Sequence, residues 1–540
     1  MNILPIVERE MRVASRSWTT QLWKMLIGLS AMVATWMGFE ETKYRLVGGG
    51  DEILVFLSFA ALIFCGFAGA FLTADTISFE KREGTLGLLF LSNLSALEIV
   101  LGKLAAGAVR FLTCLLVVLP FMMIPLLKGG VTWPEILRSW LALLIAFFFS
   151  VSLGLLVSVF VIEARKGIMT TVVIILLHAF LPFIVRVFGM ATRAWNGNGN
   201  ENLLVSFTPI GGALLGINDF YGGGGFGRAS YWIYIGFHSV MALLFLLVAA
   251  STLNRKWKRT GADFANTAAG EDREGKKTSK KMTKVQRGIG LEESPYGWMI
   301  FSRYRGMTVI VWMRRFLILL LVVTIVLSLL VSRDPEVFFV IAMITAGVLH
   351  FLTKLDMEME SVRQLHEDAK QGGLELIMST PLPDKEILDG AVWSLRKTNA
   401  RFLPSLLVAN GLLAFSVVAF AKQLHMHRGD YVPFMVLFLG GVLMAVADFR
   451  TIPIIALHRA IRSKSLVAAS FTSAALVHLV PWVFFFIGFA ILSNSRGVGW
   501  EEVAVFFGGW SVVSIAWVLQ MGSRARRILE DRFRGLVAGE

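Results

Sequence analysis

Charge is scarce in this chain. Of 540 residues only 17% are Asp, Glu, Lys or Arg, against about 25% in soluble globular proteins. That shortage excludes a large soluble domain. Cysteine is scarcer still. The two present, Cys65 and Cys114, lie inside apolar runs, so buried free thiols are expected and the redox compartment stays unread. No HExxH, GxSxG or clustered Cys/His pattern is present, which removes the common hydrolytic and metal chemistries. Residues 1–21 lack the apolar core of a secretory signal and carry Glu8, Arg9, Glu10, Arg12 and Arg16 instead.

What the chain has in excess is apolar residues, 56% of the total, with a mean hydropathy of +0.67. They gather in runs of about 18–25 residues, the length that carries a helix across a ~30 Å hydrocarbon core. Six such runs fall at roughly 22–39, 53–77, 104–127, 139–162, 168–190 and 231–253. Six more fall at roughly 316–332, 337–355, 401–421, 432–452, 466–492 and 502–521. The expected fold is all-α: a polytopic integral membrane protein of about twelve transmembrane helices in two parallel six-helix halves. The halves cover 1–254 and 299–540 and are joined by a polar linker at 255–298.

The net charge of +14 would point to nucleic acid in a soluble chain, but here topology accounts for it. With the N-terminus inside, one set of loops collects about 41 of the 52 basic residues. Both termini and the linker are therefore expected in the cytoplasm, in a plasma (inner) membrane, and no nucleic-acid partner is expected. Residues 1–21 read as an interfacial helix, with Ile3, Val7, Met11, Ala14 and Trp18 on one side and Arg9, Arg12 and Arg16 toward anionic headgroups. The linker contains GxxxxGK at Gly270–Lys276, but Lys277 stands where a P-loop needs Ser or Thr and no strand precedes it. No ATPase site is expected in this chain.

One element occurs twice. GTLGLLFLSNLSALEIVLGKL, from Gly84, returns as GGLELIMSTPLPDKEILDGAV, from Gly372, with Gly84/Gly372, Leu86/Leu374, Leu88/Leu376, Leu94/Leu382, Glu98/Glu386 and Gly102/Gly390 in register. A period of about 290 residues is far too long for a solenoid and implies related halves. Both copies fall in the loop after the second span of their half, at 79–103 and 356–400. Each starts charged, breaks at glycine and continues as a short apolar helix. Ser95 and Glu98 form the S-x-x-E capping box that should start the next helix. In the second copy Thr380, Pro381, Leu382, Pro383 and Asp384 make the same break. A short amphipathic helix of this kind lies on headgroups or docks in a partner's groove, and two copies suit a paired partner.

The run EKREGTLGLLFLSNLSALEIVLGK resembles the signature of exporter-type ABC transporter permeases of the second type, in which E-x-G-T-L-E-x-L-x-x-T-P-L-S follows the second span. Glu83, Gly84, Thr85, Leu86, Leu88, Leu89, Ser95 and Glu98 match it in the first half. Gly372, Leu374, Glu375, Leu376, Thr380, Pro381, Leu382 and Glu386 match in the second. Gly87, Asn93 and Gly373 depart from it. PIVEREMRVASR resembles the family's connecting helix, and FTPIGGALLGINDF its loop before the sixth span. The resemblance implies coupling helices that dock separate ABC ATPase subunits, two copies of them, which supply ATP and Mg while this chain binds no cofactor. The whole is then the membrane subunit of an exporter, with two permease halves fused. An ion-coupled secondary transporter and a non-transporting scaffold are the alternatives.

Among ionisable groups inside the spans, His178 and His478 stand out, each followed by a proline (Pro182 and Pro481). Asp75, His350, Asp448 and Arg450 fall at span ends, where water is expected to reach them. His425 and His427 form an H-x-H read as surface residues, because two histidines do not make a metal site.

Overall fold

The computed structural model describes residues 18–42, 49–92, 94–191, 206–217, 227–267, 294–302, 308–331, 335–370, 373–421, 432–463, 466–493 and 500–538. Arg9, Arg12, Arg16, Asn93, Gly372, His425, His427 and most of the linker lie outside these. All regular structure in the described residues is helical, and the chain divides into two compact units, Met1–Lys277 and Thr278–Glu540.

The first unit contains α1 (Trp18–Glu41), α2 (Gly50–Ala68) continued by a π-helical turn (Gly69–Thr73), α3 (Thr76–Arg82) and α4 (Leu86–Leu91). It goes on through α5 (Ala96–Leu115), α6 (Leu119–Lys128), α7 (Trp133–Phe160), α8 (Ala164–Ala191), α9 (Pro209–Leu214) and α10 (Gly227–Thr267). The second contains α11 (Pro295–Ser302), α12 (Thr308–Val331), α13 (Pro335–Lys370), α14 (Gly373–Met378), α15 (Asp384–Asn399), α16 (Leu403–Ala421) and α17 (Val432–Arg462). It ends with α18 (Leu466–Ala474), a π-helical turn (Ala475–Leu479), α19 (Val480–Ser493) and α20 (Trp500–Ala538).

Among the described residues six helical segments are long and apolar enough to cross a membrane, and two bent pairs, α5 with α6 (41°) and α15 with α16 (45°), would raise the number to eight. The apolar runs at 22–39, 168–190, 316–332 and 337–355 are also helical, as α1, α8, α12 and α13. The all-α polytopic fold therefore stands. By length and composition the described residues hold six to eight spans, so the count of twelve is not confirmed.

The first unit closes around a contact made by small residues. A Cβ on Gly69 would stand 1.8 Å from the Ser150 carbonyl oxygen, and one on Gly154 would stand 2.2 Å from the Gly69 carbonyl oxygen. Backbones can meet this closely only where side chains are missing. The approach brings the Ser150 hydroxyl to 2.9 Å from the Gly69 N–H, and Thr73 Oγ1 donates to the Val151 carbonyl at 2.9 Å. These bonds fix the π-turn of the second helix against α7, so α3 leaves the bundle in a set direction.

In the second unit α20 packs along α17, and α13 packs against α12, α16, α17 and α18. The π-turn at Ala475–Leu479 has a local cause. Pro481 has no N–H to give, so an upstream carbonyl loses its helical donor. Trp517 on α20 supplies one, its Nε1 donating to the Leu476 carbonyl at 3.0 Å.

Candidate partner-docking site

The first copy of the repeated element is bound to its unit on the inside and bare on the outside. The Ile77 and Ser78 N–H groups both donate to Ser158 Oγ at 2.9 Å, and Ser78 Oγ donates to the Ser158 and Val161 carbonyls. Lys81 donates to the carbonyls of Ser158 (3.1 Å) and Val159 (2.6 Å), and Arg82 to that of Ile162 (2.6 Å). These carbonyls are at the C-terminal end of α7, where helical donors run out and positive charge is favoured. Arg82 also grips Asp75 with two bonds, 2.8 and 2.9 Å long. The charged stretch is therefore a clamp on α7.

Glu80 points the other way. Its carboxylate is 2.7 Å from Lys103 Nζ on α5, with side-chain exposures of 4% and 7%, and Thr85 Oγ1 donates to it from the far side of the glycine break. One buried carboxylate thus ties α3, the break and α5 together. The break itself needs glycine: Gly84 has φ +70°, although open space surrounds it.

Past the break, α4 is two-faced. Leu86, Leu89, Phe90 and Leu94 pack on a core of Ile77, Ile99, Val100, Leu155, Val159 and Leu253. Leu88 and Leu91 are 65% and 78% exposed. The capping box forms as the sequence predicts: the Ser95 hydroxyl accepts from the Glu98 N–H, and the Glu98 carboxylate accepts from the Ser95 N–H at 3.0 Å. Thr85, Leu86, Leu89, Ser95 and Glu98 thus build the element, while Glu83, Gly84 and Leu88 are on its exposed side.

The second copy repeats this division with different neighbours. Leu374 is fully buried among Ile387, Leu388, Phe402, Leu457, Leu529 and Phe533, with Ile377 and Met378 against the same core. Leu376, the counterpart of Leu88, is 74% exposed. Glu375, Thr380, Pro381, Leu382 and Glu386 are exposed as well. Pro383 is extended (φ −68°, ψ 145°) directly before α15, as its ring requires. The end of α20 braces the copy: Arg534 reaches Asp384 at 2.8 Å and Arg526 reaches Asp389 at 3.1 Å.

The two span histidines have unlike surroundings. His178 Nε2 is 3.1 Å from His238 Nε2, and the pair is set among Phe149, Phe237 and Tyr234. His478 Nε2 is 3.2 Å from Glu358 on α13. The expectation that water reaches Asp448 is corrected, since its side chain is 3% exposed and forms an ion pair with Lys354 at 2.5 Å. The sequence held a signal for this cluster that a reading of span ends passes over. His350, Lys354 and Glu358 recur at four-residue steps and so share one face of α13.

Together these features define a multi-pass helical membrane protein carrying an anchored amphipathic helix, α4, between α3 and α5. Residues 4–256 match the family model described as ABC-2 family transporter protein. That part of the chain is similar to ABC-2-type permeases, which form the membrane components of ABC transporters. The match covers the first unit up to α10 and stops short of α11. No curated protein matches the chain.

Proposed function

We propose that this chain is the membrane subunit of an ATP-driven exporter, in which two related permease halves are fused. A separate ABC ATPase subunit docks on each repeated element, two copies in all, supplying ATP and Mg. The observation that carries this reading is the matched exposure of Leu88 and Leu376, 65% and 74%, on short helices whose other faces are fixed to their bundles. A leucine left outside costs about 1.5–3 kcal/mol relative to one fully buried. A partner groove would recover that energy, and the clamps at Lys81, Arg82 and Glu80 would carry force from the partner into α5 and α7.

On this reading the docking faces lie in the cytoplasm, both termini are on the same side, and the membrane is the plasma (inner) membrane. Glu83, Gly84, Glu375, Thr380, Pro381, Leu382 and Glu386 border the two leucines and complete the surface. The test is co-purification of a P-loop ATPase with the chain, followed by charge reversal at Glu83 and Glu375. The reading expects ATP hydrolysis to lose its dependence on substrate in both variants. Full coupled activity in both would refute the docking assignment.

A further inference from the structure

Four ionisable groups come together in the second unit: Lys354 and Glu358 from α13, Asp448 from α17 and His478 from the π-turn. His350, a turn before Lys354, is held by the Asn410 side-chain amide of α16 at 3.0 Å. α13 itself also carries Asp356 and Glu360, and α17 carries Arg450, His458, Arg459 and Arg462, but among the described residues only His478, Asp448 and Lys354 bring charge close to Glu358. α16 and α18 contain no titratable residue. The two arginines of α12, Arg314 and Arg315, lie over the rings of Phe402 and Trp312. Glu375 of α14 is exposed.

The fixed charges do not balance. Lys354 and Asp448 pair at 2.5 Å and cancel. Glu358 is fully buried, with only His478 Nε2 near one oxygen and no hydrogen-bond donor among the described residues on the other. An ionised Glu358 beside a neutral imidazole would leave one uncompensated buried negative charge, which costs several kcal/mol. One proton removes that charge, whether it resides on the carboxylate or on the ring. A metal ion is the poorer occupant: among the described residues no three His, Cys, Asp or Glu side chains are grouped to hold one. The site is also placed where the helix can change. His478 is in a π-helical turn, a feature that recurs at functional positions, and α13 runs on from Glu358 toward α14.

We propose that Glu358 and His478 form a single-proton site, in which one proton is held between them while α13 and the π-turn stay in contact and is released when they part. This does not rest on the ATPase-docking reading and would hold for the chain alone.

The experiment is equilibrium unfolding of the detergent-solubilised full chain between pH 7 and 9. In the unfolded chain Glu358 and His478 have ordinary affinities and hold almost no proton above pH 7. The folded pair holds one, so stability falls as pH rises. The unfolding constant should rise about tenfold per pH unit more in wild type than in E358Q, the slope of one proton. H478Q should keep the wild-type slope, because its buried carboxyl must still be neutral. Equal slopes in wild type and E358Q would overturn the proposal. So would a slope that disappears when sodium is replaced by a bulky organic cation. If E358Q does not fold, infrared spectroscopy of H478Q decides. There the proton can reside only on the carboxyl, so a carboxylic-acid band is expected in H478Q at pH 7, and its absence overturns the proposal.

Discussion

Lys103 and Glu80 form a buried ion pair at 2.7 Å, and this bond ties α5 to the stretch that leads into α4. Removing one partner leaves a buried charge uncompensated, whereas removing both leaves an apolar gap. Lys103→Met should therefore cost about 3–5 kcal/mol, and the double variant with Glu80→Leu should recover most of it. A double-mutant cycle on thermal or denaturant unfolding checks this. Additive losses would show that the pair is not coupled.

Gly69 and Gly84 should respond differently to alanine, although both are glycines in the same unit. At Gly69 the added methyl would meet a backbone oxygen at 1.8 Å, so α2 and α7 must separate. Overpacking of that kind costs about 1–3 kcal/mol or more, and a loss of folded yield is expected. At Gly84 nothing is within 4 Å, so the φ of +70° sets the effect, about 1–2 kcal/mol. Unfolding midpoints of the two variants provide the comparison.

The end of α20 is held to the second copy by packing more than by charge. Arg534 and Asp384 are 59% and 34% exposed, and Arg526 and Asp389 are 39% and 47% exposed. Such pairs contribute about 0–1 kcal/mol, so Arg534→Ala should scarcely move stability. Phe533 is 3% exposed in the core that contains Leu374, and Phe533→Ala should cost about 3–5 kcal/mol. Proteolysis between α19 and α20, or hydrogen exchange along α14 and α15, would register the difference.

Ser95→Ala removes half of the capping box and should cost about 0.5–2 kcal/mol. Hydrogen exchange should then rise at the first turn of α5, from Ala96 to Glu98, and stay unchanged along α7.

The capping box could be read from sequence because its two members are three residues apart and share one turn. The helices were legible too, since apolar runs of span length have few other uses. The sequence assigned Leu86, Leu88, Leu374 and Leu376 alike to docking, and which of them turn inward became evident only from the packing of α4 and α14. What stayed hidden depends on distance in the chain. Glu80 and Lys103 are 23 residues apart and each reads alone as a loop charge. Glu358 and His478 belong to separate spans, and the close crossing at Gly69 and Gly154 becomes evident only once α2 and α7 are set side by side. Span counting met a different limit, since a bend such as that between α5 and α6 splits one apolar run into two short helices.

The central claim is that the outward leucines meet a partner and the inward ones do not. The most direct measurement places a photo-reactive residue at Leu88, Leu376, Leu86 or Leu374 in turn, in cells that contain the co-purifying P-loop ATPase. The account predicts ATPase adducts from positions 88 and 376 and none from 86 or 374, which are turned into their own cores. Adducts to lipid alone from 88 and 376, with the ATPase still bound to the chain, would contradict it.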